Sequence, residues 1–141
     1  MMESTHPFLQ VYSFLNEDQS LADKMVSMRQ SNENDENMIF TFEVREEYRK
    51  YQYAPIIRLT PISMVEAVWY DNDSDLFELV FSVEVFTTSM THGHELTSHI
   101  REKYKKEHNC ICLSQVLQYD DVTELYNSFM KFKIYVNKGE I

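Results

Sequence analysis

The amino-acid sequence predicts an α+β domain in which an antiparallel or mixed β-sheet is flanked by helices. Apolar residues open the chain at helical spacing, whereas through most of the remainder they alternate with polar residues. The length of 141 residues fits a single domain over 1–141 that buries about two-thirds of its unfolded surface. The predicted order of elements is α-α-β-β-β-β-α-β-β.

Two helices are predicted at the start of the chain. Apolar residues at i, i+3, i+4 and i+7 from Phe8 predict a helix over 7–15. Asp18 or Ser20 is a suitable N-cap for the second helix, because its side-chain oxygen can accept from the free amides of the first turn. The polar segment 30–37 that follows is typical of a loop.

Four strands are predicted before the next helix, over 38–44, 56–62, 64–70 and 76–86. Proline cannot donate to a ladder, so the strand between Pro55 and Pro61 is expected to be short or to lie on a sheet edge. The strand over 76–86 has the clearest alternation. We expect its odd-numbered face and its partners to be buried together: Phe77, Leu79, Phe81, Val83, Val85, Leu96, Ile100, Phe132 and Ile134.

The remaining predicted elements are a helix over 91–107 and strands over 110–119 and 128–136. The outward residues of two strands carry opposite charges, Glu78 and Glu84 on one and Lys131 and Lys133 on the other. Opposite charges across neighbouring strands are favourable by about 0.2–1 kcal/mol per pair. The two strands are therefore predicted to be neighbours.

Composition restricts the classes of function. The chain has 13 basic and 23 acidic residues, a formal charge of −10. Non-specific DNA binding depends mainly on cations that meet phosphates, so an acidic chain binds DNA only where its basic residues are concentrated. Gly93 and Gly139 are the two glycines, which excludes a P-loop and a dinucleotide fingerprint. We expect no nucleotide cofactor, no signal peptide and no membrane span.

Histidine and cysteine near the end of the third helix raise the question of a metal site. His108, Cys110 and Cys112 point to one side if the strand begins at 108, but a structural zinc site requires four converging ligands. We expect free cysteines that fill the core, a His108 side chain that caps the helix end, and no bound metal. His94 and His99 are interpreted as surface histidines. The acidic segment 71–75 lacks the glycine and glutamate of a calcium loop and is interpreted as a hairpin turn.

One basic and aromatic stretch stands out in this acidic chain, VREEYRKYQY over 44–53. Three interpretations are open: a protein interface, a solvated loop, or a nucleic-acid grip. Tyrosine and arginine are enriched at protein interfaces, while the intervening glutamates weaken attraction to phosphate. The candidate interface residues are Arg45, Tyr48, Arg49, Lys50, Tyr51 and Tyr53. We expect the tyrosines to be exposed and to contribute little to the core.

Three stretches resemble one protein family. The opening VYSFLNEDQSLADKMV, the strand YAPIIRLTPI and the central strand LFELVFSVEVFTT resemble the tail terminator, or tail completion, proteins of long-tailed bacteriophages. The helix over 91–107 and the final hairpin follow in the same order. The resemblance extends over 8–137 and rests on pattern and order, without an invariant site.

The resemblance implies a structural protein and not an enzyme. Members of the family form a hexameric ring that caps the tail tube, terminates tail growth and joins the tail to the head. The implied partners are other copies of the chain, the tail tube protein and a head-completion or connector protein. DNA would pass through the acidic lumen without specific binding, and no cofactor is implied. The implied location is the head-proximal end of the virion tail, and the host cytoplasm during assembly.

On this interpretation, 45–53 is an assembly surface, and the neighbouring loop over 30–37 is expected to be mobile in the free subunit. Two other classes of function remain open. One is a small enzyme or ligand-binding domain with a cleft lined by Tyr119, Tyr135 and histidines. The other is an adaptor that binds a host protein as a monomer or dimer.

Overall fold

The computed structural model describes residues 6–29, 38–66 and 76–137, which form an α+β fold with three α-helices and one five-stranded sheet. The predicted fold class is confirmed. The helices are α1 (Pro7–Asn16), α2 (Gln19–Met28) and α3 (Met90–His108). The strands are β1 (Ile39–Thr41), β2 (Ile56–Glu66), β3 (Leu76–Thr87), β4 (Ile111–Asp120) and β5 (Leu125–Asn137).

The sheet is mixed, with the spatial order β1-β2-β3-β5-β4. β1 runs parallel to β2, and every other neighbouring pair is antiparallel. β3 is therefore the central strand. Two different strands lie at the two sides of the sheet: β4 on one side, and on the other β1, which pairs only with residues 57–59 of β2.

The helices pack against one face of the sheet, here named the helix face. Phe81 of β3 and Phe132 of β5 lie opposite each other on this face, with ring centroids 5.6 Å apart, and Tyr104 of α3 meets both rings edge-on. The Tyr104 hydroxyl donates to the backbone carbonyl of Val11, 2.9 Å away. This single hydrogen bond ties α3 to α1 across the core, so Tyr104 is buried without an unpaired polar atom.

The opposite face, here named the open face, carries more polar residues and no helix among the described residues. Glu84 of β3 is nonetheless buried there, because Arg58 of β2 lies directly across the ladder and forms a salt bridge with it through both Nε and Nη2. The Arg58 guanidinium also lies 5.5 Å from the centre of the Phe86 ring. The open face is thus held partly by charge pairing.

Helix boundaries follow local chemistry. Asp18 caps α2 by accepting from the amide of Leu21 at 3.2 Å, as predicted for one of the two candidate residues. Ser89 caps α3 in the same way, and Asn109 ends α3 in the left-handed conformation at φ 55°. Gly93 allows the first turn of α3 to approach the sheet, because a Cβ at this position would lie 3.0 Å from the hydroxyl of Thr87.

The buried set predicted from the alternation is confirmed for all its members except Phe77, which is half-buried. β3 and β5 are neighbours, as predicted, but the predicted charge pairs are wrong. Lys131 lies opposite Ser82, and Lys133 lies opposite Val80. Each lysine therefore lies two residues along the ladder from the position opposite the nearest glutamate, and Glu84 pairs with Arg58 of β2 instead.

Three predicted strands are wrong in their extent, and residues 67–70 of one of them lie outside the described residues. The segments 56–62 and 64–70 belong to one strand up to residue 66, because a bulge between Pro61 and Ser63 absorbs the proline without ending the strand. The strand over 38–44 is reduced to β1, because Phe42 adopts φ 65°, which interrupts the extended backbone. Phe42 is exposed and not part of the buried core. The predicted loop over 30–37, its expected mobility and the turn at 71–75 lie outside the described residues.

Candidate assembly surfaces

The stretch 45–53 forms two short 3-10 turns between β1 and β2, Glu46–Tyr48 and Tyr51–Tyr53. The Tyr48 ring packs between Phe40, at a centroid distance of 5.8 Å, and Tyr53, at 5.3 Å. Both tyrosines are half-buried against the hydrophobic core. The expectation that they project into water is therefore wrong, whereas the side chain of Tyr51 lies outside the described residues.

The basic residues of this stretch divide into two groups. Arg49 donates from Nε to the carbonyl of Val44 at 2.6 Å and pairs with Glu43 at 3.3 Å, so it braces the loop internally. Arg45 and Lys50 are exposed. Arg45 has an exposed ion pair with Glu47, at 3.8 Å, and such pairs contribute little to stability. The part of 45–53 that is free for a partner is thus smaller than predicted.

Tyr48→Ala is expected to destabilise the fold by about 1–3 kcal/mol, because it removes a half-buried ring from an aromatic cluster. Chemical denaturation measures this loss. Arg45→Ala combined with Lys50→Ala is the matched control, and its unfolding free energy should stay within about 0.5 kcal/mol of the parent. A Tyr48→Ala protein as stable as that control would show that the ring belongs to the surface after all.

A cavity of about 260 Å³ separates the 45–53 loop from the open face of the sheet. Arg49 and Arg58 line it, but both guanidinium groups already have partners in the protein. Asn127 also lines it, and its side-chain oxygen is buried without a hydrogen-bond partner. Among the described residues that line the cavity, there is no cluster of free charged groups of the kind that would hold an ionic ligand.

The cleft proposed for an enzyme or ligand-binding domain, lined by Tyr119 and Tyr135, does not form. Tyr119 of β4 lies opposite Tyr126 of β5. Tyr126 in turn lies opposite Thr87 of β3, which is on the helix face. Tyr135 lies opposite Glu78 on the open face. The two tyrosines are therefore on opposite sides of the sheet, and this form of the ligand-binding hypothesis is wrong.

The histidine and cysteine residues near the end of α3 have structural contacts. Burial raises the pKa of the Cys110 thiol to about 12, so this group stays protonated at neutral pH. Both thiols are free, as predicted, but Cys112 is exposed, so the expectation that both cysteines fill the core is wrong for Cys112. The His108 ring stacks on Phe14 at a centroid distance of 3.4 Å. Within the described ranges, no group of three or more His, Cys, Asp or Glu residues is placed to hold a metal ion.

His99 is not a simple surface histidine, which corrects the interpretation from sequence. Its Nε2 lies 2.8 Å from a carboxylate oxygen of Asp18, which also lies 3.7 Å from Lys103. Burial of Asp18 raises its pKa, but the hydrogen bond from His99 and the α2 cap outweigh burial and hold the pKa below its ordinary value. The contact joins the start of α2 to α3, whereas His94 is exposed as predicted.

The first candidate assembly surface is strand β4. Every one of its ten residues is exposed, and β5 is the one described strand that pairs with it. α3 packs mainly over β3 and β5 and also contacts β4, but within the described part of the chain it buries no β4 residue. Exposed apolar residues lie on both of its faces: Ile111, Leu113, Val116, Leu117 and Tyr119. Segment 111–119 contains no charged residue.

The far half of β2 is the second exposed surface. Beyond residue 59 no described strand pairs with its outer edge. An apolar groove of about 400 Å³ runs along it, between the start of α1 and the bulge. The exposed apolar residues of this surface are Leu9, Phe42, Ile62, Met64 and Val65. We name the two surfaces the β4 edge (111–120) and the β2 edge (62–66 with its groove).

Sequence reasoning missed the β4 edge, although it placed a strand over 110–119, whereas the strand between Pro55 and Pro61 was expected to be short or to lie on a sheet edge, and the far half of β2 is such an edge. A usable signal was present, because an exposed edge strand normally carries charged residues that prevent pairing with other chains. The run of nine uncharged residues over 111–119 departs from that rule.

No protein-family model matches the chain, and no curated protein matches it. Across residues 6–29, 38–66 and 76–137, no helix is long and apolar enough to cross a membrane.

Proposed function

We propose that this chain is a structural virion protein of a long-tailed bacteriophage, which caps the tail tube as a ring, terminates tail growth and joins the tail to the head. The observation that carries the proposal is β4, a ten-residue strand exposed on both faces and at one edge. A long, uncharged and apolar strand edge is an aggregation hazard for a protein that works alone. It is a suitable surface for a protein whose role is to assemble.

The element order supports the same proposal. The sequence resembles tail terminator proteins over 8–137, and the described helices and strands follow the order expected from that resemblance. On this proposal the partners are further copies of the chain, the tail tube protein and a head-completion or connector protein. The formal charge of −10 for each copy would give the ring a surface that lets DNA pass without holding it.

The exposed part of 45–53 retains a place in the proposal. Arg45 and Lys50 lie on a loop braced by Arg49 and seated on the core through Tyr48. A braced loop loses little conformational entropy when it binds, so these two cations are suited to contact the tube or head partner. The half-buried tyrosines hold the loop in position and are not themselves the contact.

The test is electron microscopy of the chain mixed with tail tubes built from the tube protein of the same phage. The expected result is a ring at one end of each tube, and tubes of uniform length when the chain is present during polymerisation. The proposal would be contradicted if, with the chain present in excess, tubes grow to unlimited length and carry no ring at their ends. Arg45→Ala with Lys50→Ala is expected to remain folded and to reduce the fraction of capped tubes.

A further inference from the structure

We propose that copies of this chain join head to tail through one defined contact, in which the β4 edge of one copy pairs with the β2 edge of the next. The inference rests on the proposed ring function and specifies its subunit interface. Because β4 and the far half of β2 lie at opposite sides of the same sheet, one repeated contact covers both surfaces. A contact between two different surfaces generates a ring when the rotation closes.

Strand direction is compatible with this contact. β2 and β5 run in one direction, and β3 and β4 run in the other. When each copy keeps the same orientation about a ring axis, β4 of one copy meets β2 of the next in antiparallel fashion. Antiparallel pairing is the slightly more stable arrangement per residue, and it continues the existing sheet from copy to copy.

The stagger that the contact requires is also compatible with a closed ring. Through the registers of β5 and β3, Gln115 at the middle of β4 is level with Leu59 of β2, whereas the free edge is centred on Met64. One of the five residue steps from Leu59 to Met64 belongs to the bulge, so the offset is four ladder positions, about 14 Å along the strand, and four strands span about 19 Å. The strands would then tilt about 35°, at the lower end of the range of about 35–45° for closed sheets.

Charge favours the two edges over the rest of the surface. Copies that each carry −10 repel one another, so a contact between them needs surfaces free of like charge. Segment 111–119 is uncharged, and the β2 edge is uncharged from residue 60 to residue 65. Leu117 lies on the helix face of β4, and its apolar side chain is suited to enter the groove beside Ile62. The apolar lining of the groove is then removed from water.

A twofold contact between two β4 edges is the alternative pairing. It also places strands antiparallel, but it leaves the β2 edge and its groove exposed in the finished assembly. The head-to-tail contact leaves neither edge exposed. The two arrangements predict different behaviour for mixed variants, which makes them separable by experiment.

The experiment uses two variants of the full chain and one control. The first carries Val116→Lys with Leu117→Lys in the β4 edge, and the second carries Ile62→Lys with Val65→Lys in the β2 edge. All four residues are exposed, so the folds are expected to survive; Leu117→Lys alone and Ile62→Lys alone serve where a double variant does not fold. Val122→Lys is the matched control, since Val122 is 88% exposed in the β4–β5 turn.

Sedimentation velocity measures each protein alone and the two variants mixed in equal amounts. The expected result is assembly by the parent and the control, loss of assembly by each variant alone, and a 1:1 dimer in the mixture. The dimer forms because one intact edge remains on each variant, and it stops there because the other edges are blocked. If the parent assembles only on tail tubes, the variants are scored at tube ends, where both must fail.

Three results would overturn the inference. A β2-edge variant that dimerises alone while the β4-edge variant does not would establish the twofold β4 contact. Normal assembly by either variant would show that its edge lies outside the interface. A mixture with no dimer, although the parent assembles in solution, would show that the two edges do not meet. In all three cases a parent that caps tubes leaves the proposed function standing, whereas a parent that never assembles refutes that function.

Discussion

Phe81→Ala is expected to lower the free energy of unfolding by about 3–5 kcal/mol. Phe81 is fully buried at the centre of β3, stacked on Phe132 and in edge contact with Tyr104. Removing the ring deletes apolar burial and leaves a cavity between the sheet and α3, because neither aromatic neighbour can fill the space without leaving its own position. A typical domain has about 5–15 kcal/mol of stability, so this one substitution removes a large part of it.

Urea denaturation measures the effect, and Phe42→Ala is the control. Phe42 has the same side chain, but it is 62% exposed, and its ring contact is with Phe8 at the edge of the core. Its loss is expected to be well under half that of Phe81→Ala. Equal losses at the two positions would contradict the placement of Phe81 at the centre of the core.

Arg58→Ala has the second-largest expected effect, a loss of about 2–4 kcal/mol. The substitution leaves the Glu84 carboxylate buried without the cation that lies across the ladder from it. The expected loss lies below that of a fully buried pair, because the Arg58 side chain is itself 28% exposed. Loss of the guanidinium contact with Phe86 adds a smaller part.

A double-mutant cycle separates the unpaired charge from the lost packing. Glu84→Gln keeps the shape of the side chain and removes its charge, so adding Arg58→Ala to Glu84→Gln is expected to cost less than Arg58→Ala alone. The coupling free energy between the two positions is the measured quantity. A coupling near zero would show that the pair contributes packing only, and the account of a buried charge pair on the open face would fail.

The sequence by itself determined the element types and most of the core. The helical spacing from Phe8, the alternation around Phe81 and the cap at Asp18 each depend on residues a few positions apart, so local pattern predicts them. The element order followed as well, apart from the strands around Pro61. A bulge there lets one strand continue through a residue that ordinarily ends strands.

Only the tertiary structure decided which surfaces are covered. Alternation identifies the apolar side of a strand, but it does not say whether a helix or another strand lies against that side. β4 and β5 are both rich in apolar residues, but β4 lies at the side of the sheet, and α3 packs mainly over β3 and β5. The same reason applies to the pairing of His99 with Asp18 and of Arg58 with Glu84, since each joins segments far apart in the chain. Tyr48 and Tyr53 were expected to be exposed, because no local pattern in the sequence predicts that their loop folds back onto the core.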